Sequence, residues 1–321
     1  MNYEKKGAPR LPFAVSNVSF GTSPLGSMPD TYGYEVDEGR ARAAIDAMFE
    51  LEHSFIDTSR NYGMGRSEAR LGAAIRARGG LPEGCVLATK LDRDFDTNRM
   101  DAERVRRSFE ESLEALGVDR LQILHFHDPE YCADLGDLTR EGGAIDEMFR
   151  LKEEGLVDAV GLAMGNLDLM MKLLPDWEFD ALISHNRYTL LNRSADAMFD
   201  HAHARGIAIF NAAPYAGGAL AKGSSTGRIT YQEASEAKLA PVRAIEDICS
   251  RHGIPLGAAA LQFSMRDPRI ASTICGVSKA ERVRETLAWA EFGISDAAWS
   301  ELEALPFGTD DPEADREYKP C

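Results

Sequence analysis

Eight short β-branched or apolar runs alternate with eight longer segments of helical period along this chain, and few folds accommodate that alternation. The runs lie at 18–22, 54–57, 86–89, 121–126, 157–162, 181–184, 207–211 and 271–275. The helical segments follow at 38–51, 67–78, 102–116, 144–154, 167–174, 194–205, 241–252 and 280–290. Strand–helix repeats build parallel sheets, and eight of them in 321 residues predict an α/β fold of the closed (β/α)8 type, a TIM barrel. Segment 102–116 shows the period plainly. Val105, Phe109, Leu113 and Leu116 share one face while Arg106, Glu110 and Glu114 take another, as a helix packed on the outside of a barrel requires. Gly117 and Gly206 end their helical segments as turn residues.

No Pro/Ser-rich linker or shift of composition divides the chain, so 1–321 reads as a single domain. Residues 11–19 read as a small hairpin closing the barrel bottom. The acidic, Pro-containing tail 306–321 either folds over the mouth or is disordered; the sequence leaves both open. The long Gly-rich stretch 212–239 is either a mobile clamp or a surface insertion.

Composition removes whole classes of partner. Thirty-six Lys+Arg against 52 Asp+Glu leave a formal charge of −16, which repels phosphate backbones and anionic membrane surfaces, so nucleic acid and membrane are not expected partners. No run of eighteen apolar residues and no apolar signal-peptide core occur, and the expected location is the cytoplasm. Five scattered cysteines without CxxC or zinc spacing fit a reducing compartment, and no metal site is expected. A doubly wound dinucleotide fold lacks its GxGxxG turn here. A small molecule remains the expected partner; oligomeric state is not legible.

In barrels of this type the chemistry sits at the C-terminal ends of the strands. The second unit ends Asp57-Thr58-Ser59-Arg60-Asn61-Tyr62-Gly63, the third in Thr89-Lys90, and the fourth in His125-Phe126-His127-Asp128-Pro129. Each polar residue alone has a structural explanation: Asp57 as a cap, Tyr62 as a rim aromatic, Lys90 as a solvated charge, either histidine as a satisfied core residue. Packing alone gives no reason for all of them to stand at three neighbouring strand mouths. A lysine beside a carboxylate stays charged, a cation next to a phenol stabilises the phenolate, and a histidine orients an oxygen by hydrogen bonding. That set suits carbonyl reduction or alcohol oxidation with an external hydride carrier. A metal hydrolase using His125-x-His127 would want further ligands at other strand ends.

These motifs resemble the aldo-keto reductase family over nearly the whole chain. Asp57 to Gly63, with Ser67-Glu68 and Leu71-Gly72, is similar to the family's DTA-x-x-YG…SE-x-x-LG; Thr89-Lys90 is similar to its lysine strand; Leu116 to Leu121 with His127-Asp128-Pro129 resembles its LG-x-DYxDLYLIHxP segment. The resemblance implies Asp57, Tyr62, Lys90 and His127 as the catalytic residues. It prefers His127 over His125, between which strand alternation cannot choose because both fall on one face. It further implies NAD(P) bound by Thr22, Asp57, Asn166, His185, Tyr188, Pro214, Gly276, Ser278, Lys279, Arg282 and Glu285. Segment Ile274 to Thr286 resembles the adenosine-gripping IPG-x-x-x-x-E-x-V-x-EN stretch, where Lys279 and Arg282 either meet a 2′-phosphate or face solvent, and NADP is favoured over NAD. Tyr188 either stacks on the nicotinamide or is a core aromatic.

The chain also departs from the family pattern. Gly161-Leu162-Ala163-Met164-Gly165-Asn166 stands where the family has GVSNF, His185 where it has glutamine, Cys275 where it has proline and Thr286 where it has asparagine. The strings Arg187 to Leu191, His127 to Glu130 and Asn211 to Tyr215 look most like the branch of sugar dehydrogenases acting on L-fucose, D-threo-aldoses or L-galactose, with pyridoxal dehydrogenase close by. This implies oxidation of an aldose C1 hydroxyl to a lactone with Tyr62 as base. The alternatives are NADPH-dependent carbonyl reduction, with Tyr62 as acid, or a cofactor-binding regulatory subunit. Substrate choice would lie in 23–36 (Tyr32, Tyr34), 128–143 (Tyr131) and 212–239.

Overall fold

The computed structural model describes residues 5–316. Its centre is a closed barrel of eight parallel strands. They are β1 (Val18–Gly21), β2 (Phe55–Asp57), β3 (Val86–Leu91), β4 (Leu121–His127), β5 (Val157–Ala163), β6 (Ala181–His185), β7 (Ala208–Ala212) and β8 (Ile270–Gly276). Neighbours in sequence are neighbours in the barrel, and β8 closes it by pairing with both β7 and β1. Side chains alternate in and out along each strand. The inward set, including Phe55, Ala88, Ile123, Ala159, Ala181 and Phe210, fills the interior, while the outward set packs against the helices.

Seven of the eight ring helices lie where the periodicity places them: α1 (Glu38–Phe49), α2 (Arg66–Arg78), α3 (Ala102–Leu116), α4 (Ala144–Glu153), α5 (Leu167–Leu173), α6 (Asp196–Ala204) and, after β8, α8 (Ala280–Ala290). In α3, Asp101 caps the first turn by accepting from the Arg104 amide, Gly117 closes the last in the left-handed conformation, and Val105, Phe109 and Leu116 are buried. Each such side chain contributes about 1.5–3 kcal/mol over an exposed one.

The seventh place departs from the sequence reading. The helix expected at 241–252 runs Glu236–Arg251, starting at the Ser235 cap with Pro241 inside it. It lies over the ring, against a later helix, Asp296–Glu303. The ring position between β7 and β8 belongs to α7 (Leu256–Arg266). That segment escaped the periodicity argument because Gly257 to Leu261, Phe263 and Ser264 are all buried, so it has no polar face to mark the period.

At the barrel bottom a two-residue hairpin pairs Lys5–Lys6 with Val15–Ser16, so the closing element begins further upstream than 11–19. Leu11 and Val15 plug the interior, and the Lys6 ammonium donates to the carbonyls of Met265 and Ile270, both at 3.1 Å. Among the described residues no helix is long and apolar enough to cross a membrane.

Candidate active site

Strand β2 ends in Asp57, and the chain then turns through a loop that delivers Tyr62 to the barrel mouth. Gly63 sits at φ +64°, and its backbone lies so close to Gly26 that a Cβ on Gly26 would stand 2.7 Å from the Tyr62 carbonyl carbon. Two glycines thus allow the loop to press against 23–26 and set the tyrosine over the cleft. On β3 the inward side of the pleat carries Lys90. Its ammonium donates to Asp57 Oδ1 at 2.7 Å, Asp57 Oδ2 at 2.8 Å and the Thr58 carbonyl at 2.7 Å. It lies 4.9 Å from the centroid of the Tyr62 ring. Burial pushes the Asp57 carboxyl up, and the Lys90 ammonium beside it opposes that push.

Strand β4 contributes His127, whose ring meets Tyr62 edge-on at 5.9 Å and 88°. His127 Nδ1 is 2.6 Å from Asp92 Oδ1 and 3.1 Å from the Ser59 hydroxyl, and Nε2 is 3.6 Å from Asp128 Oδ2. Burial disfavours the imidazolium, but Asp128 and Asp92 outweigh it and hold the His127 pKa above 6.5. His125, two residues deeper on the same face, is fully buried and edge-on to Phe210; burial, with Lys90 and His127 nearby, drives its pKa well below the ordinary value. Among the described residues no three His, Cys, Asp or Glu side chains are arranged to hold a metal ion.

Asp57, Tyr62, Lys90 and His127 form one end of a cleft of about 1160 Å³. The cleft continues across the end of β8 to Gly276, Ser278, Lys279 and Arg282 at the start of α8. Lys279 occupies the N-cap of α8 and offers no acceptor to the first-turn amides, so positive helix-end dipole and cations coincide there. Arg40 of α1, unremarkable in sequence on an amphipathic helix, joins them and clamps the loop by donating to the Ser278 hydroxyl at 2.9 Å and carbonyl at 2.6 Å. Lys222 and Arg228 of the 212–239 stretch also line the cleft. In a chain of net charge −16 this end is a local pole for an anion. The residues therefore fit a dinucleotide, with a phosphate-bearing end at α8 and the redox end beside Tyr62.

Six of the expected cofactor residues line this cleft: Asp57, His185, Gly276, Ser278, Lys279 and Arg282. Five do not. The Thr22 hydroxyl faces away, donating to the Asp57 carbonyl at 3.1 Å and accepting from Ser67 at 2.8 Å. Asn166 caps α5 by accepting from the Leu169 amide, outside the cleft, and Ala163 and Met164 line the cleft instead. Tyr188 is the core aromatic, its hydroxyl donating to Asp267 at 2.6 Å and its ring stacked on Phe263 at 5.2 Å. Pro214 is buried behind Ala213 and Tyr215, which do line the cleft. Glu285 faces out and pairs with Arg282 at 2.7 Å. Each was carried over from the family resemblance, and a resemblance in sequence does not report which way a side chain points.

The tail folds over the mouth as far as the described residues reach. Glu313 lies 3.1 Å from His185 Nε2 and accepts from Asn186 at 2.7 Å, while Asp311 pairs with Arg187 at 2.7 Å. Burial raises the Glu313 carboxyl, but His185, Asn186 and Arg316 overcome this and hold it far below the usual carboxylate range. Thr230 of the 212–239 stretch donates to the Pro312 carbonyl at 3.2 Å, so that stretch and the tail close on one another.

Residues 17–306 match the aldo/keto reductase family. The chain is 31% identical to an L-galactose dehydrogenase of Arabidopsis thaliana, covering 91% of this chain and 90% of that protein. It is 27% identical to a pyridoxal 4-dehydrogenase of Microbacterium luteolum (93% and 96% covered) and 26% identical to a D-threo-aldose 1-dehydrogenase of a Pseudomonas species (94% and 97%). An aldo-keto reductase from Bacillus halodurans, solved in its holo form, shares the fold with a TM-score of 0.76 at 20% identity, covering 98% of this chain and 100% of that one. The chain belongs to the aldo/keto reductase family and is an NAD(P)-dependent oxidoreductase acting on CH–OH or C=O groups.

Proposed function

We propose that this protein oxidises an aldose at its C1 hydroxyl to the lactone, with NADP preferred over NAD. The observation that carries the chemistry is the Lys90 ammonium, held by Asp57 and placed beside the Tyr62 ring at the head of the cleft. A bound nicotinamide supplies the hydride acceptor in this direction and the donor in reverse. Tyr62 takes the hydroxyl proton: the neighbouring ammonium stabilises its phenolate, and Asp57 keeps that ammonium charged. His127 directs Nε2 at the same oxygen and orients it. Asp128, which lines the cleft beside His127, accepts a hydrogen bond from a further sugar hydroxyl. Similarity to L-galactose and D-threo-aldose dehydrogenases supports the sugar, and Arg40, Lys279 and Arg282 at the far end support a 2′-phosphate.

The test follows nicotinamide absorbance with NAD+ or NADP+ against L-galactose, L-fucose and other aldoses, and with NADH or NADPH against aldehydes. Sugar-dependent reduction of NADP+ is expected. Turnover of aldehydes alone would make the protein a carbonyl reductase, and cofactor binding without turnover in either direction would make it a binding subunit.

A further inference from the structure

The Asp92 carboxylate is 1% exposed, two residues beyond Lys90 at the end of β3, and the mechanism above does not use it. Every partner it has is a donor. The Ser59 hydroxyl donates to Oδ2 at 2.8 Å, the Asn61 amide donates to Oδ2 at 2.9 Å, and His127 Nδ1 sits on Oδ1 at 2.6 Å. Burial works to raise the Asp92 carboxyl, but His127 and the Ser59 and Asn61 donors hold it below the ordinary range, so with both of those donors on Oδ2 the ionised carboxylate accepts at Oδ1 and the proton on the short contact belongs to Nδ1. The same carboxylate ties the 58–65 loop, through Ser59 and Asn61, to the histidine on β4. Asp92 therefore joins the segment that carries Tyr62 to the strand that carries His127.

We propose that Asp92 is the positioning residue of His127, engaging Nδ1 so that Nε2 with its hydrogen faces the reacting oxygen in register with Tyr62. This rests on the oxidoreductase reading given above. With Nδ1–H committed to Asp92, His127 donates from Nε2 only as the imidazolium, which a buried carboxylate at 2.6 Å favours. The groups facing the ring are Asp92 and Lys90 from the β3 end, Asp57 and Tyr62 from the β2 side, and Asp128 and His125 on β4. The carboxylates favour the charged ring, and Lys90 opposes it. Asp128, the other carboxylate close to the imidazole, is 3.6 Å away on the Nε2 side, where substrate would stand, so the charged partner on the far edge is Asp92, which also holds the Ser59 hydroxyl 3.1 Å from Nδ1.

The test is Asp92→Asn in the full-length protein, which keeps the shape and removes the charge. The first readout needs neither cofactor nor substrate: protein labelled with 15N-histidine is titrated, and His127 is identified by its loss in His127→Gln. In Asp92→Asn its proton is expected to leave at least about one pH unit lower than in the parent. An unchanged titration in the folded variant overturns the proposal. Should Asp92→Asn not fold, Asp92→Ser is titrated instead; a shift in the same direction supports the proposal and no shift overturns it. The second readout is turnover of whichever panel substrate reacts. The expectation is a kcat loss on the order of 10²-fold with KM little changed, no further loss when Asp92→Asn is added to His127→Gln, and, for carbonyl reduction, an alkaline limb moved to lower pH. Additive losses would overturn it. Failure of every panel substrate removes the sugar reading, while the titration still decides the role of Asp92.

Discussion

Tyr62 and Lys279 stand at opposite ends of one cleft and do separable work. In the proposed reaction Tyr62 is the proton-transferring group beside the Lys90 ammonium, so Tyr62→Phe is expected to lower kcat by at least about 10²-fold while cofactor affinity, measured by protein fluorescence, stays within a few-fold. Retained turnover would take Tyr62 out of its role. At the other end, Lys279 caps α8 without a side-chain bond to the helix, and removing it leaves the backbone unharmed. Lys279→Ala is expected to weaken NADP+ about 10-fold and NAD+ hardly at all, the size of one charge-assisted hydrogen bond. Equal weakening of both would place the 2′-phosphate elsewhere. At this scale the strand ends were legible in the sequence, and the resemblance to the family, not strand parity, singled out Asp57, Tyr62, Lys90 and His127 among the residues near them. The sequence was silent on Arg40, which reaches the cleft from the first turn of an ordinary amphipathic helix, and on Asp92, whose side-chain partners come from the 58–65 loop and from β4.

The tail borders the site through Arg316 and is locked down by Glu313 against His185 and Asn186. Breaking one partner of a buried charged cluster costs about 3–5 kcal/mol, more than an eleven-residue strap with few apolar contacts can hold. Glu313→Ala is therefore expected to release 306–316, seen as faster amide exchange across that segment with the barrel strands unaffected, and to raise KM for substrate through loss of one wall. Unchanged exchange would mean that the Asp311–Arg187 pair holds the tail without it. Local sequence could not place this element, since the partners that hold it lie 80 or more residues upstream. The seventh ring helix was missed for a related reason: α7 is covered on several sides, and a helix without a wet face carries no period.

At the scale of the whole molecule, one of the links between stability and acidity is a buried carboxyl outside the cleft. Glu68 is fully buried on α2, accepting from Thr89 at 2.5 Å, and burial pushes its pKa from 4.5 to about 7. Between those values the folded protein holds a proton that the unfolded chain releases, so this group's contribution to stability falls as pH rises from 4.5 to 7, by about 3 kcal/mol in total. Urea unfolding at pH 5 and pH 8 is expected to show that loss in the parent and much less of it in Glu68→Gln. An identical pH dependence in both would mean that the Glu68 carboxyl is ionised at no cost. The barrel itself was legible from the alternation of strand and helix, because burial on both faces of a parallel sheet writes apolar runs into the chain. The sequence by itself determined the eight-fold repeat, the strand ends and the residues that those ends carry inward. Only the tertiary structure decided which loop residues turn toward the cleft, as Ser278 does, and which turn away, as Thr22, Tyr188 and Pro214 do. A strand's geometry is set by its own period, whereas a loop's is set by whatever it lands on.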